Sequence, residues 1–274
     1  MNQTQQLIDR RVSLRRYADR PIEESEVDAI LHSAMRAPTA GNMMLYSILR
    51  VDDSEKRRAL AETCGHGFIA EAPLVLVFLA DMQRWVDFFE ANEVREHCAQ
   101  ERIEYQSPGT SELLMSCCDA LLAAQNSVIA AESLGIGSCY VGDIMGHVEE
   151  HRGLLDLPPF AFPITLLCYG YYPERFERSR SERFDRRFVV HRDSYQQASK
   201  EDLEVMLSKI REKFAHVLEE RGVNLAQLTY RGFMAGPAAI EERRSVGILL
   251  EDWLKQRFDA AEPHGCSRSA DRRE

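Results

Sequence analysis

Lysine is nearly missing from this chain: of its 34 basic residues, only Lys56, Lys200, Lys209, Lys213 and Lys255 are lysines. The cations are therefore almost all guanidinium groups, planar forks that match phosphate and carboxylate in pairs. The 7 cysteines form no C-x-x-C, and no Cys/His grouping has zinc spacing, which removes the common structural-zinc and dithiol readings. There is no G-x-G-x-x-G after the first strand-like run and no Walker Gly-Lys-Ser/Thr. G-x-S-x-G and H-E-x-x-H are missing as well. A Rossmann site, a P-loop, an esterase elbow and a zincin site are thereby unsupported. The start of the chain, "NQTQQLIDRR" after Met1, lacks the apolar core of a signal peptide. Apolar stretches such as "APLVLVFLA" are too short for a membrane helix, so the expectation is a cytoplasmic protein with reduced thiols and no membrane partner. A formal net charge of -10 also makes nucleic acid an unexpected partner.

What is present is the composition of a folded protein, 274 residues with 45% hydrophobic and 28% charged side chains. "IEESEVDAILHSAMRA" has apolar residues at helical spacing and stops before Pro38. "LYSILRV" alternates like a strand, and "APLVLVFLA" reads as a strand buried on both faces. Between them, "SEKRRALAETCG" predicts a helix capped by Ser54 and closed at Gly65. Residues 82–106 read as a charged helical excursion. Residues 111–134 form a long helix, apolar nearly all round and expected to be buried on most sides. Two more short strands follow, "IGSCYVG" and "FPITLLCYGYY", separated by a short helix. Helices near 200–220 and 239–258 complete the pattern, which is that of an α+β or α/β fold.

Four stretches carry potential chemistry. Arg10–Arg16, "RRVSLRR", is an arginine run behind a short N-terminal helix. "APTAGN" at 37–42 is a turn of small residues. "GIGSCYVGD" at 135–143 has glycines flanking a strand, which lets another group approach the backbone closely. "RFERSRSERFDRRF" at 175–188 is a second arginine run without regular period. Taken alone, the first run reads as a solvated helix end, and Gly135 as a helix C-cap. His66 reads equally as a surface turn residue or a ligand contact, and Cys139 and Cys168 as small core residues. Taken together, the four suit a ligand with a phosphate at one end and a flat polar ring at the other.

In this order the four stretches resemble the FMN-dependent nitroreductase family, and most nearly its NADPH-preferring nitroreductase and flavin reductase group. "RRVSLRRYADRPI" is similar to the opening R-x-S-x-R-x-[FY] block, and "SAMRAPTAGNMMLYSILRV" to the A-P-S-x-x-N segment that leads into a strand. "AAQNSVIAAESLGIGSCYVGDI" resembles the A-x-x-N-x-x-x-A-A-x-x-L-G-x-G element, and "FVVHRDSY" resembles V-H-x-x-S-Y. The likeness runs from about residue 7 to 195.

That resemblance implies an α+β fold with a central mixed β-sheet flanked by helices, a homodimer, and FMN at the subunit interface. It implies an FMN-binding domain over 1–195, a C-terminal helical extension packing on the same domain over 196–262, and a flexible tail over 263–274. Arg11, Val12 and Ser13 match the phosphate-binding strip, and Arg15 matches the cation beside the flavin's N1 and O2. Pro38, Thr39 and Gly41 match the turn that borders the flavin from the partner subunit. His66 falls where a polar side chain reads the pyrimidine edge. Tyr140, Val141, Gly142 and Asp143 match the segment near N5 and O4, and Asp143 stands where glycine is frequent. Arg183 matches a second phosphate arginine, with Arg180 in place of a neighbouring lysine and Ser181 at that lysine's position. Arg231, Arg243 and Arg244 are candidates for the nicotinamide nucleotide.

The implied activity is ping-pong NAD(P)H oxidation, with hydride passing through flavin N5 to a nitroaromatic, a quinone or a free flavin. FMN is the cofactor, NADPH or NADH the electron donor, and neither a metal nor a catalytic side chain is required. Two alternatives remain open. One keeps the fold and FMN but runs a specialised reaction such as reductive dehalogenation or flavin breakdown. The other is a non-enzymatic nucleotide-binding protein.

Overall fold

The structure, a computed structural model, describes residues 1–259; the expected tail at 263–274 lies outside the described residues. By contact density the chain divides into two units. One comprises Met1–Phe176 together with the chain from Glu242 onward, and the other is Glu177–Glu241.

The first unit is built on four strands, β1 (Tyr46–Arg50), β2 (Leu74–Asp81), β3 (Ile136–Val141) and β4 (Ala161–Tyr171), in the order β1-β2-β4-β3. All three strand pairings are antiparallel, which corrects the expected mixed sheet. The sequence offered no means of counting directions, because hairpin and crossover connections of similar length leave the same hydrophobic pattern. One parallel contact exists, the isolated bridge between Ser13 and Ser138. β2 and β4 are buried along their whole length, as a central pair covered on both faces must be. β4 bulges where its pairing with β2 shifts between Phe78 and Leu79. Pro163, which cannot donate to a ladder, sits beside that irregularity and beyond the reach of β3.

Helices cover both faces. The N-terminal helices are α1 (Gln3–Arg10) and α2 (Glu24–Met35), followed by α3 (Ser54–Thr63), α4 (Phe68–Glu71), α5 (Gln83–Ala91) and α6 (Val94–Glu101). Then come α7 (Thr110–Ser133) and α8 (Val148–Leu155). β2 divides its side chains by the period of two. Leu74, Leu76, Phe78 and Ala80 pack with Ile30 of α2 and with Ala120, Ala123, Ala124 and Val128 of α7. Val75, Val77 and Leu79 pack with Leu60 of α3, Ile69 of α4 and Leu155 of α8. α3 starts one residue earlier than its sequence suggests. Asp53, not Ser54, caps it by accepting from the N–H groups of Glu55 (2.8 Å) and Lys56 (2.9 Å).

α7 departs from expectation on two counts. Only one side is buried, and Leu114, Met115, Leu121 and Leu122 stand exposed in this single chain. By length and composition it also meets the criterion for a membrane-crossing helix, contrary to the expectation that no apolar stretch is long enough. Its inner face nevertheless packs on β2 and α2 and carries a carboxylate, Asp119.

In the second unit lie α9 (Lys200–Arg221), capped by Ser199 and ended by Gly222 in the left-handed region (φ 60°), and α10 (Leu225–Phe233), which the sequence reading did not resolve. α11 (Pro237–Asp259) follows, and its later part belongs to the first unit. There, Trp253 is buried edge-on against Phe160 and donates from Nε1 to the Gly109 carbonyl at 3.2 Å.

Candidate functional site

After α1 the chain runs extended across the sheet. The Leu14 N–H donates to the Ser138 carbonyl (2.9 Å) and the Ala18 N–H to the Tyr171 carbonyl (2.9 Å). Extended backbone alternates its side chains, so Val12 and Leu14 point into the core while Ser13 and Arg15 stay exposed and Arg11 is half-buried. This approach is possible because β3 and β4 pair glycine with glycine, Gly137 against Gly170. A Cβ on Gly137 would lie 2.6 Å from Leu14 Cδ2 and 2.7 Å from Tyr172 Cζ, and one on Gly170 would strike the Tyr17 ring.

The arginines of this run do different jobs. Arg10 reaches down to Glu132, a carboxylate only 1% exposed, at 3.2 Å from Nε, and also donates to the Glu132 carbonyl at 3.0 Å. Tyr172 donates to the other Glu132 oxygen at 2.7 Å. Arg10 is thus a structural cation. Among the described residues, neither Arg11 nor Arg15 has a carboxylate within 4.0 Å. Their positive charge converges on β3. Burial pushes the Cys139 thiol up, while Arg15, Ser13 and Arg11 pull it down. Burial pushes the Tyr140 hydroxyl up to about 12, with Arg11 opposing, and that hydroxyl donates to Gln125 at 3.1 Å.

A row of side chains continues from Arg15. Its guanidinium carbon lies 5.9 Å from the centre of the Phe68 ring, and Phe68 stacks on His66 at 5.2 Å. His66 Nε2 sits 3.2 Å from Asp143 Oδ2. An ionised carboxylate only accepts, so Nε2 is the protonated nitrogen. Asp143 opens the turn after β3 and Gly142. Two further groups feel its charge: Cys64, pushed up to about 12 by burial and then by Asp143, and Glu242, raised by burial and then by Asp143.

Of the residues expected to form a site, the structure brings Arg11, Ser13, Arg15, His66, Tyr140 and Asp143 into this one network. Val12 and Val141 are buried beneath it, and Gly142 is exposed at the end of β3. Pro38, Thr39 and Gly41 belong to a separate turn. Gly41 (φ 56°), Asn42 (φ 59°) and Met44 (φ 51°) are left-handed there, and Thr39 Oγ1 accepts from the Met44 N–H at 3.2 Å. Asp119 holds this turn, accepting from the N–H groups of Ala40 (3.0 Å) and Leu45 (3.1 Å) while only 3% exposed. Arg180 and Arg183 lie in the second unit, both exposed, with Arg183 donating to the Ser181 carbonyl at 3.3 Å. Arg231 lies there too, on α10, and Arg244 pairs with both oxygens of Glu149 at 2.7 and 2.9 Å.

Sequence reasoning missed two participants. Asp119 sits 79 residues from Ala40, and an isolated acid within an apolar helix gives no hint of its partner. Phe68 carries no charge or motif that would single it out in the sequence. The period-two alternation of Arg11-Val12-Ser13-Leu14-Arg15 was a readable signal of an extended, one-side-buried segment.

Comparison with known proteins identifies the family. Residues 8–171 match the model of the Nitroreductase family. The chain is a member of that family. The nitroreductase match covers the arginine strip, the Pro38–Gly41 turn, His66 and all four strands. The chain is 33% identical over 196 residues to an FMN reductase (NADPH) of Bacillus subtilis, covering 71% of this chain and 75% of the relative. It is 25% identical over 250 residues to an NADPH-dependent oxidoreductase of Staphylococcus haemolyticus, covering 89% and 96%. Among solved structures, nitroreductase A of Vibrio parahaemolyticus superposes with a TM-score of 0.74 at 26% identity, covering 92% of this chain and 98% of that one.

Proposed function

We propose that this chain is an FMN-dependent NAD(P)H oxidoreductase of the nitroreductase, flavin reductase or quinone reductase type, working by a ping-pong cycle. The single observation that carries the reading is the strip Arg11–Arg15. Two guanidiniums without carboxylate partners and a serine hydroxyl are fixed on one strand by Gly137, a donor set suited to an anionic nucleotide. The same donor set fits FMN, whose phosphate and electron-rich ring edge both call for fixed positive charge.

FMN, when bound, supplies the two-electron chemistry, taking hydride from NAD(P)H and passing electrons to a small-molecule acceptor. The chain's own residues bind and orient. Arg11 and Ser13 grip phosphate, and Arg15 holds positive charge where negative charge builds on reduction. Tyr140, Val141, Gly142 and Asp143 line the opposite edge with β3 backbone, and His66 offers a polar contact stacked on Phe68. No proton-transferring side chain is needed.

The homodimer is part of the same reading. The exposed Leu114, Met115, Leu121 and Leu122 of α7 form an apolar face that a second copy would cover, and Pro38, Thr39 and Gly41 would meet the partner's flavin. Cytoplasmic residence accords with the six described cysteines, all free thiols.

The test is spectroscopic. The purified protein should be yellow, lose its flavin absorbance on anaerobic addition of NADPH, and regain it when a quinone is added. A colourless protein that takes up no added FMN would disprove the reading.

A further inference from the structure

We infer that Asp143 sets the acceptor class of this enzyme, disfavouring anionic electron acceptors and favouring neutral or cationic ones. The inference rests on the proposed function, which puts an edge of the cofactor along Tyr140–Asp143 at the end of β3.

Asp143 stands at that end with its side chain 46% exposed, and its partner is His66, through Nε2. Among the described residues no lysine or arginine lies within 4.0 Å of it, and His66 pairs with it as an ion only when protonated. No fixed cation therefore neutralises this carboxylate, and it is half open to water. The field of Asp143 reaches a second acid, Glu242, whose carboxyl is raised by burial and then by Asp143 and so adds less negative charge of its own. The network is thus polarised. Positive charge gathers at Arg11 and Arg15, where the proposed function puts the cofactor's own phosphate, and the Asp143 carboxylate stands beyond the end of β3, on the edge where that reading has the acceptor react. An acceptor that brings its own carboxylate or sulfonate meets repulsion worth about tenfold in kcat/KM at a separation near ~6 Å and intermediate dielectric. The same field is neutral or favourable toward amides, unsubstituted quinones and quaternary ammonium groups. Salt screens it, since the carboxylate is half open to water.

The experiment uses the FMN-loaded enzyme with saturating NADPH and two acceptors that differ in one charge, para-nitrobenzamide and para-nitrobenzoate. The expected result is a preference for the amide of about tenfold at low ionic strength, narrowing at high salt. Asp143→Asn retains a carbonyl oxygen for the His66 N–H and should reduce that preference several-fold; Glu242→Gln should reduce it less. Asp143→Glu keeps the charge and should keep the preference, so a loss caused by altered packing is separated from a loss of charge. An amide preference absent from the native enzyme, or equal in the native and Asp143→Asn enzymes, overturns the inference while leaving the proposed function standing. A protein that carries FMN but oxidises no NADPH with either acceptor, or carries no FMN, overturns both.

Discussion

Arg10–Arg16 and Arg175–Phe188 hold arginine at similar density, yet their surroundings have little in common. In the first run Val12 and Leu14 are core residues, the backbone is bonded to β3, and Arg10 is joined to a buried acid 122 residues away. In the second run almost every residue from 177 on is exposed, and Glu182 pairs with Lys209 at 3.1 Å on the surface of the second unit. Arg183 bonds the carbonyl of Ser181, Arg187 lies over the Phe188 ring at 4.5 Å, and Asp185 caps the short turn Arg186–Phe188. Composition therefore says where cations are plentiful, and backbone anchoring says which of them are held in a fixed array. A fixed array loses little side-chain entropy on binding an anion, whereas a loop must be ordered at the moment of binding.

The strongest way to break this comparison is to remove the fixed pair. Arg11→Ala combined with Arg15→Ala should weaken FMN binding by at least about 100-fold, taking about 1.5–3 kcal/mol for each charged hydrogen bond lost. Flavin fluorescence quenching measures it. Arg10→Ala in the same run should change that affinity by less than about threefold, because its guanidinium is committed to Glu132. Equal losses for Arg10 and Arg11 would erase the distinction between structural and binding cations.

A smaller effect is expected where the anchoring itself is disturbed. Gly137→Ala places a methyl group against Leu14 and Tyr172 and should cost about 1–3 kcal/mol in urea unfolding, with a parallel loss of FMN affinity. Stability loss without any loss of affinity would mean that strip position and cofactor grip are uncoupled.

The anchored side also predicts a pH dependence. His151, 1% exposed, lies 2.9 Å from the Ile144 carbonyl beside Asp143 and 2.8 Å from Thr63 Oγ1, and burial holds its pKa below the ordinary 6.5. The unfolded chain then binds a proton that the folded chain resists. His151 stabilises fully above about pH 6.5, and this contribution drains away as pH falls toward the depressed folded value. The difference in unfolding free energy between the native protein and His151→Gln should accordingly shrink on acidification. A constant difference would count against it.

The smallest effect belongs to the second run. Arg183→Ala should leave the urea midpoint unchanged within about 0.5 kcal/mol, since its contacts are exposed and local. A large loss of stability would show that this run is anchored after all.

Elements with a strong local period were legible in the sequence. α2, β1, β2, α7, β3, β4, α9 and α11 all appear within a few residues of where their patterns put them. α10 was missed because its Gly232 and the Gly236-Pro237 pair look like a loop, although Asn224 and Gln227 cap its start reciprocally. Strand direction was not legible, nor was the exposed side of α7, since an apolar side chain looks the same whether its cover comes from its own chain or from none.

By itself the sequence determined the local elements, the placing of guanidinium groups ahead of β3, and the glycines that leave its backbone open. These depend on residues near one another in the chain, where propensity, capping and periodicity act. Tertiary structure alone decided that Arg10 is spent on Glu132 while Arg11 and Arg15 have no carboxylate within 4.0 Å among the described residues, that Asp119 holds the Pro38–Met44 turn, and that Asp143 faces His66. Each of those is a contact across 74 to 122 residues, and its energy depends on burial and distance that no local pattern encodes.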